Sequence, residues 1–177
     1  GDTENIFLGL EQGTLELSDV RIDCKNVHIG LMVHAGELLM NNVTLLGGGT
    51  TVLVGPEARL KMTNTKVTDA GIGIEISPGA TGCVENCVVD RNRVGLSVGD
   101  SGKMDVRCSY VGKNEEYGVV VQCSQKCDAE GVWSGEQGVA KAAVKGVILK
   151  TSEIGSNGIG DVAILELERE GLQSPSV

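Results

Sequence analysis

Aromatic residues are nearly absent from this 177-residue chain: one Trp, two Tyr and one Phe, 2% of the sequence. Trp133, Tyr110, Tyr117 and Phe7 cannot supply the bulk that aromatics give an ordinary globular core. The interior must be built from Val, Ile, Leu and small residues, which suits a thin, repetitive body. Proline is scarce too, three residues against 26 glycines. No apolar run reaches the length that spans a bilayer, and no basic-then-apolar leader opens the chain. Positive charge is in deficit, 15 Lys and Arg against 24 Asp and Glu, for a net charge of −9. That disfavours nucleic acid and anionic membrane as whole-surface partners, since both need clustered Lys and Arg. The chain opens on Gly1 rather than Met, from which we expect an excised fragment, about one domain in size.

What the chain does have is a repeat. Five segments superimpose: GTLELSDVRI from Gly13, GELLMNNVTL from Gly36, ARLKMTNTKV from Ala58, ATGCVENCVV from Ala80 and GKMDVRCSYV from Gly102. They start 23, 22, 22 and 22 residues apart, a period that signals a solenoid. Within each unit the third, fifth, eighth and tenth positions are mostly apolar, as in Leu15, Leu17, Val20 and Ile22 or Leu38, Met40, Val43 and Leu45. Alternation, a two-residue interruption and renewed alternation describe two short strands joined by a bend. A further alternating stretch closes each unit: Ile29, Leu31, Val33; Val52, Val54; Ile72, Ile74, Ile76; Val94, Leu96, Val98; Val119, Val121.

One such turn of strand cannot bury its inner face alone. Stacking copies about 4.8 Å apart pairs each strand in parallel with its counterparts. The fold class expected is all-β, a single-stranded right-handed parallel β-helix of about six or seven coils. The runner-up is a leucine-rich repeat, since Leu17, Val20 and Ile22 fit its LxxLxL spacing. Its ninth position would fall on Lys25, Gly48, Ala70, Asn92 and Asn114, which fits only in part. Each unit also ends in a strand pattern rather than a helix. We expect residues 1–12 to cap the N-terminus, 13–168 to form the β-helix and 169–177 to be a disordered tail. Beyond Val121 the pattern loosens: Cys127, Ala129 and Val132 suggest a sixth coil, and KGVILKTSEIGSNGIGDVAILELE a seventh or a capping strand pair.

Asp19, Asn42, Asn64 and Asn86 fall at the same bend in four successive units, with Cys108 in the fifth. Asn and Asp accept left-handed backbone and bond to neighbouring main chain, so these residues read as a structural ladder. The triple glycine Gly47–Gly49 opens no helix and is no phosphate cradle; it permits positive φ at a turn.

Two Cys-x3-Cys pairs have spacing open to zinc. In the first, Cys87 holds an inward repeat position and Cys83 an outward one, so their thiols should diverge. In the second, Cys123 and Cys127, a metal or a disulfide stays open. A chain of this length needs no staples, and reduced cytosolic thiols are the expectation. No other metal or cofactor is expected. A polysaccharide lyase would need carboxylates from adjacent coils with a basic neighbour; Asp69 and Asp90, with Arg91 and Arg93 alongside, form the candidate cluster. The bland alternative is a solvated turn with Asp–Arg pairing. His28 and His34 have no assignable carboxylate partner, and Trp133 reads as a binding anchor or a coil cap.

The coils DRNRVGLSVGD and GKNEEYGVVVQ, with their polar-Asn-polar turn followed by glycine and aliphatics, resemble the repeat of pectate-lyase-like β-helices. The order of GELLMNNVTLLG, GTTVLVGPEARLKMTNTKV, GIGIEISPGATGCVENCVV and NEEYGVVV is similar to the C-terminal β-helix of the SHC SH2-domain-binding protein and Nessun dorma family. The similarity covers roughly Gly13 to Val121. Pectin hydrolases share adjacent Asp pairs and a Gly-His-Gly, neither of which occurs here. The resemblance implies a non-enzymatic, cytoplasmic module of the cytokinesis machinery, with centralspindlin at the spindle midzone and midbody and β-galactoside binding as a second property. F-box β-helix subunits are the other eukaryotic comparison.

We therefore expect a rigid rod that presents its outer residues to a protein partner. Arg59, Lys61, Arg91, Arg93, Lys113, Glu115 and Glu116 are the partner-binding candidates, with no catalytic residue and no metal ligand assigned. A galactose-containing glycan is the alternative partner. Open coil ends leave monomer and end-to-end oligomer both in play.

Overall fold

Alternating aliphatics with a small residue at each unit start dictate short strands turning sharp corners, and the computed structural model shows that arrangement. It describes residues 5–123, 143–144, 147–150 and 152–166. Every described strand is paired in parallel with its neighbours along the stack, apart from one short antiparallel pair near the C-terminal end.

Three faces wrap one core. Face I stacks residues 14–18, 37–41, 59–63, 81–85, 103–107 and 147–150. Face II stacks the three-residue strands Arg21–Asp23, Thr44–Leu46, Lys66–Thr68, Val88–Asp90, Tyr110–Gly112 and Glu153–Gly155. Face III stacks residues 6–10, 29–33, 50–54, 72–76, 94–98, 117–123 and 160–166. The strands Ile29–Asn41 and Thr50–Thr63 run unbroken from face III into face I. At that corner Gly13 and Gly36 take positive φ and their backbones touch, leaving no room for a side chain at Gly36.

The inward columns are the ones the repeat predicts. On face III they run Leu8, Leu31, Val52, Ile74, Leu96, Val119 and Val162 in register. On face II they run Ile22, Leu45, Val67, Val89, Val111 and Ile154. Most of these belong to one continuous aliphatic core. On face I, Met104 leans into the space that Gly82 leaves beneath it. Truncating a fully buried member such as Leu96 would cost about 2–5 kcal/mol.

One expectation about the later coils changes. The strand stacked directly on 103–107 begins at Val147, where Met104 meets Val147. The segment read as a seventh coil or cap is thus the sixth coil, 43 residues after the fifth instead of 22, by the Ser109-to-Ser152 spacing. Cys127, Ala129 and Val132 lie outside the described residues, as does the expected tail 169–177. Ala143–Val144 pairs antiparallel with Val147 and Ile148 and covers the face I edge there. At the other end, the expected cap takes the form of one more face III strand, Ile6–Leu10. Leu8, Leu10, Leu15, Leu17 and Ile22 pack on the core from one side and stay half-buried.

The bends carry their own columns. Asp19, Asn42, Asn64, Asn86 and Cys108 take φ values of 47° to 55° between faces I and II. The N–H of the next residue is then accepted from below by the following coil. Val43 donates to Thr65 Oγ1 at 3.3 Å, Thr65 to Cys87 Sγ at 3.4 Å, Cys87 to Ser109 Oγ at 3.0 Å, and Ser109 to Ser152 Oγ at 3.2 Å. Cys87 is buried and Cys83 half-exposed, and both are free thiols, as are Cys24 and Cys108. Among the described residues the side chains at the exposed bend make one direct rung, Asn42 Nδ2 to Asp19 Oδ1 at 2.7 Å; Asn64 instead donates to Asn41.

A buried asparagine ladder stands at the next bend, between faces II and III. Asn92 Nδ2 donates to Asn114 Oδ1 at 3.2 Å, and Asn114 Nδ2 to Asn157 Oδ1 at 2.9 Å. The same oxygens accept the backbone N–H of Asn92 and Asn114, both at 3.0 Å. Asn92 Oδ1 takes the Ala70 N–H at 3.0 Å. Glycines make room for the amides: a Cβ at Gly95 would lie 2.9 Å from Asn114 Nδ2, and one at Gly118 would lie 2.7 Å from Asn157 Nδ2. Buried backbone groups that would otherwise be orphaned are satisfied coil by coil.

Candidate functional site

Outward residues are set by the pleat, so a β-helix face is a grid with known columns. The outer grid of face I reads Glu16, Leu39, Lys61, Cys83 and Asp105 along its central column. Beside it run Glu37 and Arg59 on one flank and Ser18, Asn41 and Thr63 on the other. Arg59 and Lys61 are exposed, and neither has an ion-pair partner among the described residues. A shallow open groove crosses this face between Glu16 and Lys61, with Leu39 in its floor and Ser18, Asn41 and Thr63 along its side. Further along, Arg107 and Asp105 form an ion pair, Nε to Oδ2 at 2.9 Å, and neutralise each other.

The other five binding candidates sit elsewhere. Arg91 and Lys113 belong to a second left-handed column, with Asp69 and Ser156, at the bend after face II. Arg93, Glu115 and Glu116 follow on the same bend, and Arg93 Nη1 meets Glu116 Oε2 at 3.1 Å. The seven residues therefore form two separate groups rather than one ridge. Arg59 and Lys61 lie on a face I strand, whereas the others follow the face II strands.

The candidate lyase cluster is also rearranged. Asp69 aligns with Arg91 in the adjacent coil, not with Asp90, whose register partner is Thr68. One residue of offset places Asp69 in the bend and Asp90 on the outer side of face II. Arg91 grips Asp69 with Nε at 3.0 Å and Nη2 at 3.4 Å. The Arg91 hydrogen bonds hold the Asp69 carboxyl below its ordinary range. Asp90 is 9% exposed; Oδ2 lies 3.6 Å from Lys66 Nζ, and Oδ1 is buried with no hydrogen-bond partner among the described residues. The Tyr110 ring lies over the backbone of Gly112. Burial first, and the Glu153 carboxylate second, push its phenol above the ordinary range.

His28 and His34 are exposed. No group of three or more His, Cys, Asp or Glu side chains converges on a metal geometry among the described residues. Burial pushes the Cys87 thiol up to about 11. Trp133 and Cys127 lie outside the described residues, and only the backbone of Cys123 is described. No helix among the described residues is long and apolar enough to cross a membrane.

With three parallel faces, a 22-residue period and left-handed bend columns in place, comparison with known families decides the assignment. Residues 8–161 match the right-handed beta helix region family. The chain belongs to that family. No curated protein and no solved structure matches the chain. The inward columns are filled with aliphatic side chains, so the outward columns and bends are the surfaces open to contact.

Sequence reasoning placed the β-helix and its inward columns, but not the buried asparagine ladder. The signal was there: Asn92 and Asn114 each precede a glycine by three or four residues, Gly95 and Gly118. In the sequence they match the asparagine of a leucine-rich repeat and the polar-Asn-polar turn of pectate-lyase-like coils, which places them at a turn without assigning the amide bonds.

Proposed function

We propose that this β-helix is a non-enzymatic binding module that docks a protein partner on the outer side of face I. One observation carries the reading: Arg59 and Lys61 stand side by side, exposed and without an ion-pair partner among the described residues, and Lys61 lines a groove with Leu39 in its floor. Desolvating a charge is costly unless the partner supplies its counter-charge, so this patch selects an acidic complement. Glu37 and Glu16, one and two coils away, add a basic requirement on that side of the patch. Such a charge pattern fixes register and favours encounter more than raw affinity.

The state of the lyase cluster supports a non-catalytic role. A base committed to a bidentate pair with Asp69, beside a carboxylate shielded on the face II surface, does not converge on a common reacting atom. The partner proposed is a component of the cytokinesis machinery, in the cytoplasm at the midzone and midbody, on the strength of the coil order from Gly36 to Val121. Binding of purified centralspindlin to the wild-type module and to an R59E/K61E variant tests both halves. Loss in the variant, with an unchanged thermal melt, supports the assignment. Binding unaffected by the substitutions removes face I, and no binding by the wild type removes the cytokinesis partner.

A galactose-containing glycan is the second reading, favoured by the row of hydroxyl and amide groups, Ser18, Asn41 and Thr63, beside the groove. A panel of galactans and uronates with calcium present tests it: retention weakened by Asn41→Ala supports the groove, and retention without that dependence removes it.

A further inference from the structure

The chain contains a single Asn-Gly dipeptide, Asn157-Gly158, and it sits at the last rung of the buried ladder. Asn-Gly is the pair whose backbone closes on itself most easily, since glycine brings no side chain to block the approach. In that reaction the Gly158 nitrogen attacks Asn157 Cγ, a C–N bond forms and ammonia leaves, giving a five-membered succinimide. Water then opens the ring at either carbonyl, yielding aspartate or isoaspartate. No oxidant or cofactor is required.

The fold restrains both reacting groups. The Gly158 N–H donates to Asn114 O at 2.9 Å. Asn157 Oδ1 accepts the Asn114 N–H at 3.0 Å and Asn114 Nδ2 at 2.9 Å, while its own Nδ2 donates to Asp161 Oδ1 at 2.8 Å. Ring closure would have to break these bonds. Exclusion of water is not the barrier, because Gly158 is exposed and Asn157 only half-buried.

We propose that Asn157-Gly158 is a latent deamidation site, held unreacted by the asparagine ladder, and that its conversion releases the sixth coil. The product replaces an N–H donor with a carboxylate oxygen facing Asp161, so an attraction at hydrogen-bond distance becomes a repulsion between like charges. Isoaspartate additionally lengthens the backbone between Gly155 and Gly160, where the chain crosses from face II to face III. Each opening of the last coil thus carries a chance of an irreversible charge change that favours opening.

The test uses the full chain, incubated in mildly alkaline buffer with and without urea, with deamidation of the Asn157 peptide followed by mass spectrometry. The folded protein should react at least about tenfold more slowly, in proportion to the fraction of time the coil is open. Equal rates in the two conditions would overturn the protection. Deamidated protein, separated by charge, should then show several-fold faster hydrogen exchange in residues 147–150 and 160–166 than unreacted protein. Unchanged exchange there would overturn the consequence. An Asn157→Asp variant separates the two products: fast exchange identifies the charge as sufficient, and native exchange rejects the repulsion argument.

Discussion

Removing the middle rung of the ladder is the sharpest perturbation available, because Asn114 serves the coil on either side. Its Oδ1 accepts the Asn92 N–H at 3.0 Å and Asn92 Nδ2 at 3.2 Å; its Nδ2 donates to Asn157 Oδ1 at 2.9 Å. In Asn114→Ala, Asn92 Nδ2 retains Val67 O at 3.4 Å and Asn157 Oδ1 retains the Asn114 N–H. The Asn92 N–H, fully buried, loses its acceptor. One orphaned buried donor costs about 1–3 kcal/mol, and the vacated amide volume raises the loss to about 2–4 kcal/mol. That is a large share of a typical folding free energy of about 5–15 kcal/mol. Urea denaturation followed by circular dichroism reads it as a lowered midpoint. The control is Asn86, at the exposed left-handed bend. Asn86→Ala should cost about 1–2 kcal/mol for the backbone conformation, and Asn86→Gly should recover most of it. Glycine at Asn114 should recover nothing, since no positive φ is required there. A loss below about 0.5 kcal/mol for Asn114→Ala, or rescue by glycine at that site, would refute the reasoning.

Further outcomes follow from the same geometry. Gly95→Ala places a methyl 2.5 Å from Gly118 O and 2.9 Å from Asn114 Nδ2, and should destabilise by about 1–3 kcal/mol or more, read as a lowered melting temperature. Cys108→Asn should stabilise by up to about 1 kcal/mol, because asparagine accepts the φ of 47° better than cysteine does. In thiol labelling, exposed Cys108 should react promptly, whereas Cys87, buried and with its pKa near 11, should wait for unfolding. The Asp69 carboxyl is depressed by Arg91, so the pair's small stabilisation is full above the ordinary aspartate range and fades as pH falls through the lower folded value. Arg91→Gln should move the Asp69 titration back up in a two-dimensional NMR pH series, and high salt should shrink the wild-type shift because the pair is exposed.

How much of this was legible in the chain depends on the physics behind each feature. The period is legible because stacked coils demand the same in-and-out pattern at every level, so Leu15, Leu38 and Leu60 repeat in register. Cys87 and Cys83 could be told apart for the same reason, one inward and one outward. The sixth coil was misplaced because the stack counts register in space, not residues along the chain; Met104 meets Val147 across the intervening segment. Asparagine has two roles in this fold, backbone tolerance at an exposed bend and amide bonding inside one, and composition does not separate them. The companion glycines do: Gly95 and Gly118 sit where the amides need space. Asp69 and Asp90 look equivalent in the sequence, yet one residue of pleat sends one into the bend and the other onto face II.

The most direct measurement of the account is a hydrogen-exchange footprint of the module alone and bound to purified centralspindlin. Protection is predicted on residues 37–41 and 59–63, around Leu39, Arg59 and Lys61, with the bend that carries Asp69, Arg91 and Lys113 unchanged. Protection confined to that bend, with face I exchanging as in the free protein, would contradict the account.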